Sequence, residues 1–415
     1  MKISKKVQTA MESLQLNTLR KYQIKPVNCI LDKHDTLVIS PTGSGKSAIF
    51  QVPAMASSTK YKWTLVFEPT VSLIADQVNK LQRLGIAAEM LTNRNKKQHN
   101  NILKQIQENR LTLLYVTPER LQSRSFCEAV EANPPWLVVI DEAHCVLDWG
   151  YTFRSDYLKI KSFIKQLNRR PVMAAFTATA PAEYREQICK LLGMKQAEHY
   201  INSLERSNLI LLKEDCSQCS VRQRLTRVRA NIRKYGSSGR TVVYCGTRKN
   251  VDIVYNYLTK EFPGEVVKCH AYMDPEKREK HELQLINDSK RIMVATTAFG
   301  VGVDVPDIRL VVHFNLPLSV IDYYQQIGRA GRDGETSHAV LLYSREDIAL
   351  NESILRNDRY PEELQAWLTT RLEELVAIAE SDRCLMQQLL NALGEDHPTT
   401  CRHCTNCQKA RRTGP

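Results

Sequence analysis

Short runs of β-branched and aliphatic residues recur along this chain, and each is followed by a polar stretch with helical character. The first series occupies residues 36–39, 64–67, 111–116 and 136–140. The second occupies residues 241–244, 292–295 and 310–314. Runs this apolar, alternating with helices, are typical of strands buried on both faces of a parallel sheet. The pattern therefore predicts an α/β fold with two parallel-sheet domains.

The spacing of these runs also predicts the domain boundaries. Residues 201–235 are polar and strongly charged, which indicates a hinge near residues 202–215 between the two series. After residue 347 the apolar runs stop, and residues 361–393 carry apolar side chains three and four positions apart, as amphipathic helices do. We therefore predict domains at 1–203, 204–346 and 347–415, the last being a helical module.

Charge favours a polyanionic partner, because Lys and Arg total 58 against 45 acidic residues, a net charge of +13. A merely basic soluble enzyme is the alternative. The chain has no run of ~18 apolar residues and its basic N-terminus has no apolar segment, so we expect neither a membrane span nor secretion.

The run 36–39 leads into the glycine-rich segment 40–47 and then into an apolar helix start, an arrangement typical of a phosphate-binding loop. The two glycines turn backbone N–H groups toward phosphates, Lys46 reaches the β- and γ-phosphates, and the Ser47 hydroxyl joins a Mg²⁺ shell. The strict pattern has glycine where Ser40 stands, and a chance glycine-rich turn is the alternative. The predicted contacts are Thr42, Gly43, Ser44, Gly45, Lys46 and Ser47.

An acidic pair, Asp141 and Glu142, follows the run 136–140. Such a pair completes a phosphate-binding loop, with Asp141 holding Mg²⁺ together with Ser47 and Glu142 orienting and deprotonating the attacking water. Taken alone, the pair could equally be a solvated loop end. Its place downstream of the loop favours ATP hydrolysis.

Four of the twelve cysteines, Cys384, Cys401, Cys404 and Cys407, lie close together near the end of the chain. Four thiolates at this spacing suit tetrahedral Zn²⁺ in a closed structural site, whereas free buried thiols are the alternative. His403 could replace one ligand, but the four-cysteine set is complete without it. Cys216 and Cys219 have no second pair nearby and are interpreted as structural or incidental.

The motif Asp-Glu-Ala-His at 141–144 identifies a superfamily 2 helicase. Residues 145–157, 176–180, 298–304 and 323–334 resemble motifs of the RecQ DNA helicase family, in the family's order, and the zinc spacing is also similar. The resemblance covers residues 14–407 and implies two RecA-like lobes with ATP in the cleft between them. Only eight residues follow Cys407, so we expect a short form without the winged-helix and C-terminal accessory domains.

In the second lobe, the resemblance implies that Arg329 and Arg332 act as arginine fingers on the γ-phosphate. A surface arginine pair that binds DNA phosphates is the alternative. Gln325 is expected to position the water or to link the lobes. Asp304, with Gly300 and Gly302, is expected to contact ribose or to couple the cleft to the DNA.

Near the N-terminus, residues 20–23 resemble the adenine-reading segment of the family. Gln23 can present a donor and an acceptor to one purine edge, with Arg20 beside it. Leu16 stands where an aromatic residue is usual and can still cover adenine by apolar contact. Outside this context, a lone glutamine near a helix start would carry little weight.

Four side chains after the acidic pair combine flat aromatic faces with a cation, which suits base stacking with little sequence preference: Trp149, Tyr151, Phe153 and Arg154. Packing of these aromatics into a domain core is the alternative. A second set resembles backbone-gripping helicase motifs: Thr117, Arg120, Thr247 and Arg248. For Thr117 and Thr247, a plain loop or helix cap is the alternative.

The resulting hypothesis is a RecQ-like, ATP-dependent 3′–5′ DNA helicase or translocase of recombination or repair, with ATP, Mg²⁺ and Zn²⁺. Its expected partners are single-stranded and tailed duplex DNA, with single-strand-binding or recombination proteins as candidates and no membrane. The expected location is the cytoplasm and nucleoid of a bacterium or the nucleus of a eukaryote. The rivals are an RNA-directed motor and a zinc-bearing DNA-binding or strand-annealing module with weak unwinding.

Overall fold

The computed structural model describes residues 4–41, 43–57, 62–148, 156–178, 182–297, 299, 305–356 and 362–413. The chain divides into two compact units, Met1–Leu204 and Glu205–Pro415. Each unit is built around its own parallel sheet, and the second ends in helices that carry the cysteine cluster. The predicted fold class is therefore confirmed.

The first unit contains a seven-stranded parallel sheet. Its strands are β1 Thr36–Ile39, β2 Thr64–Phe67, β3 Ala88–Leu91, β4 Leu113–Val116, β5 Leu137–Ile140, β6 Val172–Thr177 and β7 Glu198–Ile201. In space they follow the order β3-β4-β2-β5-β6-β1-β7. The two edge strands, β3 and β7, are partly exposed, which explains why the apolar pattern did not reveal them.

Two helices precede the first strand of this unit, and others connect the later strands. They are α1 Lys5–Ser13, α2 Lys21–Leu31, α3 Lys46–Ala56, α4 Val71–Arg83, α5 His99–Gln107, α6 Arg124–Ala132, α7 Cys145–Asp148, α8 Asp156–Gln166 and α9 Ala182–Leu192, with 3₁₀ turns at Asn93–Gln98 and Pro118–Gln122. All residues of β1, β2, β4 and β5 are buried, as expected of central parallel strands. The segments that follow these strands therefore meet at the carboxyl edge of one sheet, where ligands bind in open α/β folds.

The second unit contains a six-stranded parallel sheet. Its strands are β8 Leu209–Asp215, β9 Arg240–Tyr244, β10 Val266–Cys269, β11 Ile292–Ala295, β12 Ile308–His313 and β13 Ser337–Tyr343, in the spatial order β10-β11-β9-β12-β13-β8. Its helices are α10 Val221–Tyr235, α11 Arg248–Glu261, α12 Pro275–Ile286, α13 Val320–Ile327, α14 Arg345–Leu355, α15 Glu362–Glu380, α16 Leu385–Ala392 and α17 Thr405–Thr413.

A hinge was expected near residues 202–215, within the polar segment 201–235. The boundary between the two units, after Leu204, falls inside that range, but the second half of the range is a strand. Residues 209–215 form β8, which pairs with β13 at the edge of the second sheet. Residues 221–235 form α10, whose apolar side packs into the core of that unit. An edge strand is exposed on one side, so β8 carries polar residues and does not resemble the buried central strands.

The C-terminal helices belong to the second compact unit. The Thr405 hydroxyl at the start of α17 accepts a hydrogen bond from the Lys213 N–H of β8 at 2.9 Å. The Lys213 ammonium in turn donates to the Ser381 carbonyl at 2.6 Å. The predicted helical module is therefore tied to the edge strand of the sheet. Among the helices described, none is long and apolar enough to cross a membrane.

Candidate functional site

The glycine-rich loop between β1 and α3 is held in place by the start of α2. Gly45, the N-cap of α3, has a left-handed backbone with φ of 89°, and a Cβ there would lie 3.0 Å from Gln23 Nε2. Gln23 Nε2 donates to the Gly45 carbonyl at 3.0 Å, and Gln23 Oε1 accepts from the Arg20 N–H at 2.8 Å. Arg20 and Tyr22 both donate to the Ser44 carbonyl. Position 45 therefore requires glycine.

The amide of Gln23, predicted to read a purine edge, is thus already bonded to the loop and to its own helix N-terminus. Its side chain is buried, and Leu16 packs against the core of the first unit beside α2. The adenine contacts of Leu16, Arg20 and Gln23 remain predictions. In the structure, Arg20 and Gln23 support the phosphate loop through their bonds to Ser44 and Gly45.

Lys46, the first residue of α3, has a shielded ammonium with no hydrogen-bond partner among the described residues. The Ser44 hydroxyl is shielded in the same way. Buried polar groups are almost always hydrogen-bonded. A shielded cation and a shielded hydroxyl that lack hydrogen-bond partners, in a loop of this kind, therefore fit an anionic ligand such as a nucleotide phosphate. Ser47 follows Lys46 directly, and its place in a Mg²⁺ shell remains a prediction.

Asp141 and Glu142 follow β5, as predicted. Burial raises the pKa of Asp141 to about 6, while Lys46 opposes the rise and Glu142 adds to it. Asp141 Oδ1 accepts a hydrogen bond from the Glu142 N–H at 2.9 Å. Lys46 and Asp141 therefore interact electrostatically, and a bound divalent cation would favour the ionised carboxylate.

Glu142 has φ of 48°, in the left-handed region that residues other than glycine seldom adopt. Its Oε2 lies 3.4 Å from His144 Nδ1, and the same ring nitrogen lies 3.0 Å from the Thr177 hydroxyl at the end of β6. Burial lowers the pKa of His144, which favours the neutral imidazole. The structure thus joins the motif at 141–144 to the motif that begins at Phe176.

The sequence analysis missed a third carboxylate, Glu68, at the carboxyl end of β2. Its side chain is 2% exposed, and burial followed by the charges of Asp141 and Glu142 raises its pKa well above the ordinary value. It accepts hydrogen bonds from the N–H and hydroxyl of Thr70. The signal in the sequence was that Glu68, like Asp141, directly follows an apolar run, and the structure places the two strands, β2 and β5, side by side.

In the second unit, Arg329 and Arg332 lie on the turn that follows α13. Arg206 shapes this turn by donating to the carbonyls of Ala330 and Gly331 at 2.8 and 2.9 Å. Gly331 has φ of +60°, and a Cβ there would lie 2.5 Å from Asn208 Nδ2, so glycine is required. Arg206 falls within the segment expected to be a hinge, and sequence reasoning missed its role.

Burial raises the pKa of Tyr244, at the end of β9, whereas Arg329, hydrogen-bonded to its hydroxyl, and then Arg332 lower it. The two arginines therefore lie near the carboxyl edge of the second sheet. Gln325 lies on α13 and is half-buried. The roles of Arg329 and Arg332 as arginine fingers, and of Gln325 in positioning the water or linking the lobes, remain predictions.

Several predicted residues lie outside the described part of the chain: Thr42, Trp149, Tyr151, Phe153, Arg154, Gly300, Gly302 and Asp304. The second predicted DNA-binding set, which resembles backbone-gripping helicase motifs, lies within the described part of the chain. Thr117 and Arg120 follow β4, and burial lowers the pKa of Arg120. Thr247 caps α11, since its hydroxyl accepts from the Asn250 N–H at 3.2 Å. For Thr247, the structure therefore shows the helix-cap role that was its alternative.

The four predicted zinc ligands come together. The sulfur atoms of Cys384, Cys401, Cys404 and Cys407 all lie within 4.8 Å of one another. Tetrahedral zinc with bonds of ~2.3 Å requires sulfurs about 3.8 Å apart, so a small contraction suffices. Backbone N–H groups already point at three sulfurs, including Leu385 N to Cys404 Sγ at 3.4 Å. The cluster therefore fits a closed zinc site.

Three protein-family models match consecutive parts of the chain. Residues 20–188 match the DEAD/DEAH box helicase model, and residues 223–334 match the helicase conserved C-terminal domain. Residues 345–408 match the RecQ zinc-binding model, which begins at α14. The fold and these matches define a superfamily 2 helicase.

Relatives narrow the class further. The chain is 34% identical over 382 residues to "ATP-dependent DNA helicase RecQ" of Bacillus subtilis. The matched region covers 91% of this chain and 62% of that protein. It is 34% identical over 356 residues to "Probable ATP-dependent DNA helicase RecS" of the same organism, covering 85% and 70%. The chain belongs to the RecQ family. It spans about three fifths of the length of the bacterial RecQ proteins it matches.

Solved structures show the fold alone, because their sequences are distant. One is MrfA bound to DNA, with a TM-score of 0.68 and 19% identity, covering 82% of this chain and 51% of that one. Another is Saccharomyces cerevisiae Dbp5 bound to RNA and ADP BeF3, with a TM-score of 0.68 and 16% identity, covering 89% and 98%.

Proposed function

We propose that this chain is an ATP-dependent DNA helicase that moves 3′ to 5′ on single-stranded or tailed duplex DNA in recombination or repair. The observation that carries the proposal is the shielded ammonium of Lys46, which has no hydrogen-bond partner among the described residues and interacts electrostatically with the half-buried carboxylate of Asp141. A cation and an acid at the carboxyl edge of a parallel sheet suit Mg²⁺-bound ATP.

The residues of the first unit divide the chemistry between them. Lys46 binds the phosphates, and Ser47 with Asp141 would hold Mg²⁺, which neutralises phosphate charge when bound. Glu142, fixed in an unusual backbone conformation next to Asp141, orients the attacking water and takes its proton. By the family resemblance, Arg329 and Arg332 supply positive charge to the phosphoryl group during transfer.

DNA is proposed as the partner because relatives at 34% identity are DNA helicases by name and the chain has a net charge of +13. An RNA-directed motor is the rival, favoured by the likeness to Dbp5 bound to RNA, although that likeness rests on 16% identity. The other rival is a zinc-bearing DNA-binding or annealing module without a working ATPase.

The test is steady-state ATP hydrolysis by the full chain with Mg²⁺ and no nucleic acid, an oligo-dT strand, a blunt duplex or an oligo-U strand. We expect stimulation by oligo-dT that exceeds the effects of blunt duplex and of oligo-U. Stimulation by oligo-U alone would replace the proposal with the RNA motor, and no hydrolysis in any mixture would support the binding module. Polarity is then tested by unwinding of duplexes with a 3′ or a 5′ tail, of which only the first should be opened.

A further inference from the structure

We propose that Tyr272 and Arg248 form a base-stacking site for single-stranded DNA at the carboxyl edge of the second sheet. The Arg248 guanidinium carbon lies 3.8 Å from the centroid of the Tyr272 ring. Tyr272 is 77% exposed, more than any other large hydrophobic side chain that the structure describes. The inference rests on the proposed function and adds Tyr272, which the motifs did not indicate, to the DNA contact predicted for Arg248.

Tyr272 lies on the loop that follows β10, and Arg248 is the first residue of α11, at the end of the loop that follows β9. Arg248 follows β9 and Tyr272 follows β10, and both strands are hydrogen-bonded to β11, which lies between them in the parallel sheet. The two loops therefore emerge at the carboxyl edge, as expected for ligand-binding segments of this fold. An isolated exposed tyrosine needs no explanation, but one stacked on a predicted DNA-gripping arginine at this edge points to a ligand.

Each loop is fixed by bonds of its own. The Met273 N–H donates to the His270 carbonyl at 3.1 Å, which closes the turn that carries Tyr272. The Asp274 carboxylate then caps α12 by accepting from the N–H groups of Glu276 and Lys277. A ring held on a closed turn loses little conformational entropy when a base stacks on it, so an exposed position is compatible with useful affinity.

The loop of Arg248 is held at its start. The Gly246 N–H donates to Asn315 Oδ1 at 3.0 Å, and Thr247 caps α11. The nearby acid Asp252 is paired with Lys268 at 2.5 Å, which reduces its repulsion of a phosphate. Arg248 can therefore keep its stack on Tyr272 while its N–H groups face a phosphate, and the ring can take a base on its open surface.

The experiment is fluorescence anisotropy of the full chain with labelled oligo-dT over a range of salt concentrations. Tyr272→Ala should bind about tenfold more weakly, within the range of a lost base stack, and should keep the salt dependence of the unaltered protein. Tyr272→Phe should restore affinity to within about twofold, because it keeps the ring. Arg248→Ala should weaken binding and reduce the salt slope by about 0.7. Leu283→Ala, an exposed apolar residue of α12, is the matched control and should bind normally.

An abasic strand of the same length separates base stacking from backbone contact. Tyr272→Ala and the unaltered protein should bind it equally, since no base is left to stack. The inference is overturned if Tyr272→Ala binds oligo-dT normally, if its defect persists on the abasic strand, if Tyr272→Phe is equally defective, or if the defect appears only with RNA. Those outcomes leave the proposed function standing. If the unaltered protein fails to bind oligo-dT, both the stacking site and the proposed function are overturned.

Discussion

Asn315, just after β12, donates its side-chain amide to Asp347 Oδ1 of α14 at 2.7 Å. The Asn315 oxygen accepts from the Gly246 N–H and from Asn250 Nδ2 at 3.0 and 2.9 Å. One asparagine therefore links the loop that begins α11 to the helix where the zinc-binding family match begins. Asp347 also pairs with Arg224 at 3.0 Å, and both side chains are almost completely buried.

Asp347→Ala should lower the free energy of unfolding of the second unit by about 3–5 kcal/mol. The substitution leaves the Arg224 charge buried without its carboxylate and removes the acceptor of the Asn315 amide. Urea unfolding measures the change. The control is Glu346→Ala, at the neighbouring exposed position of α14, which should change stability by less than about 0.5 kcal/mol. A small effect of Asp347→Ala would show that the network contributes little.

Lys46→Ala and Glu142→Gln should both reduce DNA-stimulated ATP hydrolysis by about 10²-fold or more, for different reasons. Loss of Lys46 removes a phosphate-binding cation, so nucleotide affinity should fall as well. Glu142→Gln loses water activation alone, so it should retain ATP and accumulate as a DNA complex. Turnover and nucleotide binding, measured separately, distinguish the two.

The control for both is Lys165→Ala, an exposed cation of α8 away from the loop, which should turn over ATP normally. Near-normal turnover of either site variant would contradict the proposed mechanism. Weak nucleotide binding by Glu142→Gln would assign it a binding role in place of water activation.

The parts predicted well from the sequence are those with local signals. The central strands are apolar on both faces, the loop at 40–47 combines glycine spacing with Lys46, and the cysteines have ligand spacing. Each of these signals lies within a short stretch of sequence, so it can be recognised without knowing which distant segments pack together. The zinc cluster and the two sheets follow from such patterns without knowledge of distant contacts.

The parts that the sequence did not reveal depend on contacts between distant residues. Glu68 becomes a site residue only because β2 lies beside β5, and Arg206 because it reaches the turn at Gly331, 125 positions away. β8 was taken for a hinge because an edge strand has no strong apolar pattern. Gln23 could be placed near the nucleotide, but its bond to Gly45 requires the fold.

Cys404→Ser should abolish stoichiometric zinc and destabilise the second unit by about 3 kcal/mol or more, because metal binding contributes directly to folding at a closed site. Cys404 is fully buried, and Thr405 beside it bonds to β8, so the effect should spread to the sheet. Metal analysis and thermal unfolding are the measurements. Cys219→Ser, in the same unit but outside the cluster, is the matched control and should keep one zinc per chain. Purified protein with well under one zinc per chain would contradict the assignment.

His313, the last residue of β12, should make the second unit sensitive to acid. It is completely buried, its Nε2 lies 2.9 Å from Gln326 Oε1, and its ring stacks against Tyr244. Burial lowers its pKa from 6.5 to about 3, with the Gln326 bond opposing the change. In the unfolded chain the histidine takes up a proton below pH 6.5, whereas in the folded protein it stays neutral to about pH 3. The unfolded state therefore binds more protons in this window, and stability must fall as the pH falls.

Between pH 7 and pH 5 this one group should remove about 2 kcal/mol from the free energy of unfolding. His313→Gln keeps a side-chain donor for Gln326 but cannot take up a proton, so its stability should decline less over the same interval, whatever its value at pH 7. His34→Gln, at an exposed position, is the control and should follow the unaltered protein. Urea unfolding at pH 7, 6 and 5 gives the three slopes. Equal slopes for His313→Gln and the unaltered protein would mean that His313 is protonated without cost in the folded state.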